Sequence, residues 1–273
     1  MFFDAKGETT MTNHKIVFLD IDGTILRSDD SIEPATKEAI KKVQYKGVEV
    51  FLATGRPLHE IRDIGKDLQI ESFIGYNGAY AIHKEKELYV AKMKKDMVKT
   101  LLHTAEKHGH EAVLYTKEKN VLTSFSSPVL TEFTKHFHLK ENVLCSDEYL
   151  ADVLGMTLVN VQNDPPSLYE KTGEFRLASV NVEGFRNHAY DVIRNQVNKG
   201  IAVETVLEAL RIDKRDAVAF GDGMNDREML STVGDGVAMA NAQPELFPYA
   251  KHKTTSVNDS GVYNGLKNLG LIT

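Results

Sequence analysis

The chain has 273 residues, enough for one large domain or for a core domain carrying a smaller insert. With 42% hydrophobic and 26% charged residues it is composed like a globular protein, which excludes the disordered and fibrous classes. A formal charge of −6 gives no broad positive footprint, so no nucleic-acid or membrane partner is expected, and an anionic ligand has to be held by local charges, a cation or backbone amides.

Cys145 is the only cysteine, which rules out an intrachain disulfide and fits a reducing, cytoplasmic setting. No apolar run approaches the roughly 20 residues that span a bilayer. The first ten residues lack the basic stretch and apolar run of a signal peptide. Residues 1–14 read as a tail or tag outside the fold.

In chain order, residues 16–19 form a short, wholly apolar run, the mark of a strand buried on both faces. Pro34 opens a helix with Ala39, Ile40 and Val43 on one side, and Gly47 is placed to end it. A second strand follows at residues 48–53. Pro57 begins a helix with Leu58, Ile61, Ile64 and Leu68 at helical spacing, and a third strand occupies residues 73–76. This alternation predicts right-handed crossovers and a doubly wound, Rossmann-like parallel sheet.

The rhythm then changes. Residues 80–83 pair with 88–91, and 112–115 with 121–125; helices cover 96–108 and 127–138; strands cover 157–161 and 175–182. Phe125, Phe133 and Phe137 read as the core of this α+β module, and His103, His108, His136 and His138 as solvent-facing. After Lys199 the alternation returns: a helix through Leu210, a strand at 217–220, a helix from Asn225 and a short strand at 237–239. The expected division is a core of residues 15–82 and 196–273, with an α+β cap domain of residues 83–195 inserted into it.

Four stretches carry candidate chemistry. Asp20-Ile21-Asp22-Gly23-Thr24 stands at the carboxyl end of the first strand, where open parallel sheets bind ligands. Two acids so close repel unless a cation or a proton lies between them, although a solvated acidic turn has the same sequence. Thr54-Gly55-Arg56 follows the second strand and offers a hydroxyl, an amide and a guanidinium to phosphate oxygens, or is an ordinary turn. Lys199 opposes the dipole of the helix it opens, which a positive charge facing carboxylates and phosphate explains. Gly221-Asp222-Gly223-Met224-Asn225-Asp226 again places acids at a strand end; Asp222 suits a hard cation such as Mg²⁺, with Asp226 beside or behind it.

In this order and spacing the four stretches resemble the motifs of the haloacid dehalogenase-like hydrolase superfamily. The insert resembles the type IIB cap of its Cof-like subfamily. The Tyr76-Asn77-Gly78-Ala79 stretch, residues 236–242 and residues 258–262 share the resemblance. In the cap, the strand before Lys199 often carries Glu in that subfamily and here has Asp191. The resemblance implies an Mg²⁺-dependent phosphatase acting on a small phosphorylated metabolite, a sugar phosphate first, through an aspartyl-phosphate intermediate. It implies Asp20 as nucleophile, Asp22 as acid and base, and Thr54 and Lys199 as catalytic phosphate binders. Ile21 and Gly55 through backbone amides, Arg56 and Asn225 would assist in binding substrate. Mg²⁺ would be held by Asp20, the Asp22 carbonyl and Asp222, with Asp226 in support. A phosphotransferase or mutase with the same nucleophile, or a phospho-aspartate signalling module, are the alternatives; in the latter the phosphorylated Asp lies on a later strand than the acidic pair.

Overall fold

The first strand, β1 (Ile16–Leu19), is buried at all four of its apolar positions, as a strand with a helical layer on each face requires. The computed structural model describes residues 14–161, 164, 166–169, 173–180, 182 and 184–273. The expected tail lies outside the described residues except for His14, whose ring pairs with Asp235 at 2.8 Å. Pro34 opens α1 (Pro34–Tyr45), and the chain turns back through Gly47 at φ +77° into β2 (Glu49–Ala53). The helix expected from Pro57 is divided: a 3-10 turn spans Leu58–Glu60, Ile61 leaves helical geometry at ψ 4°, and α2 (Arg62–Leu68) follows. Strand β3 (Ser72–Gly75) comes next, then the hairpin of β4 (Tyr80–His83) and β5 (Lys86–Val90).

That hairpin corrects the expected module boundary at residue 83. β4 pairs antiparallel with β3, and β5 with β4, so both extend the core sheet. A hairpin is the shortest way to add strands to an open edge, and its local pairing does not reveal from sequence which sheet it will join.

The second sheet begins after α3 (Lys95–His108). It contains β6 (Glu111–Tyr115), β7 (Asn120–Leu122), β8 (Asn142–Leu144), β9 (Gly155–Val159), β10 (Phe175–Ser179) and β11 (Ala189–Arg194), in the order β10-β11-β9-β6-β7-β8. Between β7 and β8 lies α4 (Pro128–His136), whose cap Ser127 accepts a hydrogen bond from the Leu130 amide at 3.3 Å. Phe133 and Phe137 are buried, whereas Phe125 is 58% exposed. The strand ends at Leu122, and Ser124 and Ser126 bond each other in a turn that leaves Phe125 outside the core. The four named cap histidines are exposed, as expected.

The chain returns to the first sheet through α5 (Lys199–Leu210), β12 (Ala217–Gly221), α6 (Arg227–Thr232), β13 (Asp235–Ala238), β14 (His252–Lys253) and α7 (Gly261–Asn268). The sheet order is β14-β13-β12-β1-β2-β3-β4-β5, parallel from β14 through β3. Alternation along β1 serves two layers. Val17 and Leu19 join Ile40, Val43, Val262 and Leu266 of α1 and α7, while Ile16 and Phe18 join Val203, Val206 and Met229 of α5 and α6. The chain reverses direction across the sheet between β1 and β12, and the crevice there opens at the carboxyl ends of both strands.

Candidate active site

Asp20 is the first residue past β1 and is 4% exposed; its amide donates to the Phe220 carbonyl of β12 at 3.0 Å, which ties the strand end to its neighbour. The chain then folds tightly, the Ile21 carbonyl accepting from the amides of Thr24, Ile25 and Leu26 while the Ile21 side chain enters the core. Gly23 sits at φ +80°, and a Cβ there would stand 2.4 Å from Asp222 Oδ2. Glycine is therefore what lets the loops after β1 and β12 touch.

Lys199, at the start of α5, is completely buried, and its ammonium donates to Asp20 Oδ1 at 2.7 Å and Asp226 Oδ1 at 2.5 Å. The other Asp226 oxygen accepts from the amides of Asp222 and Gly223 at 3.0 and 3.1 Å. Asp226 is thus fixed as a brace between Lys199 and the loop that presents Asp222. One carboxylate oxygen from each of Asp20, Asp222 and Asp226 lies within 4.8 Å of the others. Burial, with Asp226 adding to it, pushes the Asp20 carboxyl up to about 7, against the opposing pull of Lys199. Burial works against the charge on Lys199, but Asp20 and Asp226 outweigh it and hold the ammonium above its ordinary range. Three buried carboxylates face one ammonium here, all hard oxygen donors with an excess of negative charge, and that donor set fits Mg²⁺.

The Asp22 carboxylate lies outside this cluster. The Arg56 guanidinium grips it through Nε at 2.8 Å and through Nη2, and stacks at 5.7 Å over the ring of Phe137 at the end of α4. Thr54 is fully buried, its hydroxyl accepting from the Arg56 amide at 3.0 Å. Asn225 donates through Nδ2 to Asn77 Oδ1 at 2.9 Å, and Asn77 Nδ2 donates to Asp191 Oδ2 at 2.9 Å. A cleft of about 80 Å³ collects these groups: Asp20, Asp22, Gly55, Arg56, Asp222 and Asn225, from the loops after strands of the first sheet, face Tyr115, Thr157 and Asp191 of the second sheet and Phe133 and Phe137 of α4 and its end.

The four stretches singled out in the sequence therefore converge on one crevice. Two residues that the resemblance includes without a chemical role also stand there. Asn77 belonged to the Tyr-Asn-Gly-Ala resemblance without a role, and its signal is a left-handed backbone at φ 53° following β3. Asp191 stands on β11, the strand before Lys199 where the subfamily often carries Glu, and its neighbours Tyr190 and Arg194 break the apolar pattern.

The chain matches the model of the haloacid dehalogenase-like hydrolase family over residues 17–266. It is 31% identical over 260 residues to the putative phosphatase YkrA of Bacillus subtilis (strain 168), covering 94% of this chain and 98% of that protein. A crystal structure of a hypothetical protein from Geobacillus kaustophilus HTA426 superimposes with a TM-score of 0.80 at 32% identity, covering 95% and 100% of the two chains. The subclass IIB sugar phosphatase BT4131 does so with a TM-score of 0.82 at 25% identity, covering 94% and 100%. The chain therefore belongs to the haloacid dehalogenase-like hydrolases, as a Cof-like phosphatase with a type IIB cap.

Proposed function

We propose that this enzyme hydrolyses a small phosphorylated metabolite, a sugar phosphate first, with Mg²⁺ and through an aspartyl-phosphate formed on Asp20. The observation that carries this reading is Asp20 itself: a buried carboxylate at the sheet's reversal point, 2.7 Å from the Lys199 ammonium and grouped with Asp222 and Asp226. The Asp20 carboxylate attacks phosphorus in line, forming a carboxyl–phosphorus bond as the bond to the leaving oxygen breaks. Asp22 gives its proton to that oxygen, then takes one from the water that attacks the phosphorus of the intermediate. Inorganic phosphate leaves and the Asp20 carboxylate is restored.

Asp20, the Asp22 carbonyl and Asp222 would hold Mg²⁺, and Asp226, its oxygens engaged by Lys199 and two amides, braces them from behind. The ion, when bound, offsets the repulsion between carboxylate and phosphate dianion. Thr54, Lys199, the amides of Ile21 and Gly55 and the Asn225 amide group bind phosphoryl oxygens. Arg56 orients Asp22 and meets the cap through Phe137. The cap, counted from after Val90 because β5 pairs with the core, covers the leaving group and excludes water. Among the described residues no helix is long and apolar enough to cross a membrane, and the single Cys145 supports a reducing, cytoplasmic compartment.

A sugar phosphate is favoured by the sugar phosphatase among the structural relatives. Phosphate release from a panel of sugar phosphates, pyridoxal phosphate and flavin mononucleotide, with and without Mg²⁺, tests the proposal. The expected result is Mg²⁺-dependent release, fastest with a sugar phosphate, and reduced on the order of 10²- to 10³-fold by Thr54→Ala. Release that ignores Mg²⁺, or none from any ester, overturns the mechanism; faster turnover of the aromatic esters overturns the substrate class.

A further inference from the structure

Asp191 has no part in the reaction set out above, yet its carboxylate is the centre of a hydrogen-bonded chain that crosses from the cap sheet to the core. Its Oδ1 accepts from the Thr157 hydroxyl at 2.7 Å, and Thr157 in turn meets the Tyr115 hydroxyl at 3.0 Å. Its Oδ2 accepts from Asn77 Nδ2 at 2.9 Å, and Asn77 Oδ1 accepts from Asn225 Nδ2 at 2.9 Å.

The direction of this chain follows from chemistry. An ionised carboxylate only accepts, so the Asn77 amide has to turn its NH₂ toward Asp191 and its carbonyl toward Asn225. Asn225 has to answer with its own NH₂, one hydrogen of which goes to Asn77 while the other is left for an acceptor in the cleft that Asn225 lines. Without an obligate acceptor at position 191, both amides can turn over, and Asn225 then offers a carbonyl that repels phosphoryl oxygen. The backbone around Asn77 points the same way. Tyr76 at φ 54° and Asn77 at φ 53° are successive left-handed non-glycine residues, a strained turn kept where it delivers the Asn77 amide between the other two groups. Burial raises the Asp191 carboxyl above its ordinary range, and the bonds from Thr157 and Asn77 offset part of that rise.

We propose that Asp191 is a positioning residue: its acceptor-only carboxylate, relayed through Asn77, orients the Asn225 amide so that an N–H faces the phosphoryl group of the substrate. The inference rests on the place given to Asn225 under the proposed function. Because Asp191 is carried by β11 and its relay partners by the core, the relay is complete only with the cap over the core.

A double-mutant cycle between Asp191→Ala and Asn225→Ala tests it, read by kcat/KM on p-nitrophenyl phosphate and two larger esters and by calorimetric binding of vanadate with Mg²⁺. The expected result is a roughly 10- to 100-fold loss in Asp191→Ala. That factor should be the same for every ester, appear in vanadate affinity too, and disappear in the Asn225→Ala background. A loss confined to the larger esters makes Asp191 a contact for the leaving group and overturns the inference. So does a loss that multiplies with that of Asn225→Ala, or full activity of the single variant. If Asp191→Ala does not fold, the same cycle with the equal-sized Asp191→Asn carries the test, with a smaller loss of the same pattern expected. A wild-type protein silent toward every ester contradicts the phosphatase reading instead, and the vanadate cycle still decides the relay.

Discussion

At the residue scale, Lys199 shows how a position unfavourable for a helix is held by its surroundings. A cation in the first turn opposes the helix dipole, and a completely buried ammonium is costly, yet two carboxylates at 2.5–2.7 Å hold it there. Lys199→Met leaves Asp20 and Asp226 facing each other without a cation. We expect it to lower the unfolding free energy in chelator by about 3–5 kcal/mol and to reduce turnover at least 10²-fold, measured by denaturant titration and phosphate release. Mg²⁺ should restore part of the stability and little of the activity. Asp20, Asp22, Lys199 and Asp222 were legible in the sequence because each lies at the end of a buried strand or the start of a helix, where a polar residue needs a reason. For Asp191 and Asn77 the sequence offered only the resemblance and no role, because that role is a relation between the core and the inserted module that no local pattern encodes.

Among the elements, the apolar strands β1, β2 and β12 stand where their sequences placed them, since a strand buried on both faces has few other choices. The split of the helix after Pro57 and the membership of β5 were set by tertiary pairing and could not be read from periodicity. The turn after β3 shows how closely elements meet at the site. Gly78 adopts φ +96°, and a Cβ there would stand 2.2 Å from the Asn198 carbonyl at the start of α5. Gly78→Ala should therefore cost about 3 kcal/mol and move the segment carrying Lys199, so that melting temperature and turnover fall together. Unchanged melting with full activity would mean that the two segments are not in this contact.

For the whole molecule, the core and the inserted module are joined beside the cleft's own groups by Arg176 of β10, which reaches Glu228 of α6 at 2.9 Å, and by His138 and Asp30 at 2.7 Å. At the opposite edge of the core, one carboxylate gathers three basic groups: Asp235 accepts from His14, Lys251 and His252 at 2.7–2.8 Å. Burial alone would raise the Asp235 carboxyl, but the bonds from these three groups hold it well below the ordinary carboxylate range. A depressed value stabilises the fold above the unfolded-state value of about 3.9, and that contribution is lost as pH falls below it. Asp235→Asn should thus lower stability by roughly 1–3 kcal/mol at pH 7, with the gap to wild type closing in melts taken at progressively more acid pH. A gap that stays constant would assign the loss to packing instead.

The most direct measurement is mass spectrometry of the enzyme quenched with acid during turnover of a sugar phosphate in Mg²⁺. We expect one phosphoryl group on the peptide containing Asp20, absent when Mg²⁺ is chelated and absent from Asp20→Asn, which also releases no phosphate. A phosphoryl group found on another residue, or steady phosphate release by Asp20→Asn, would contradict the account.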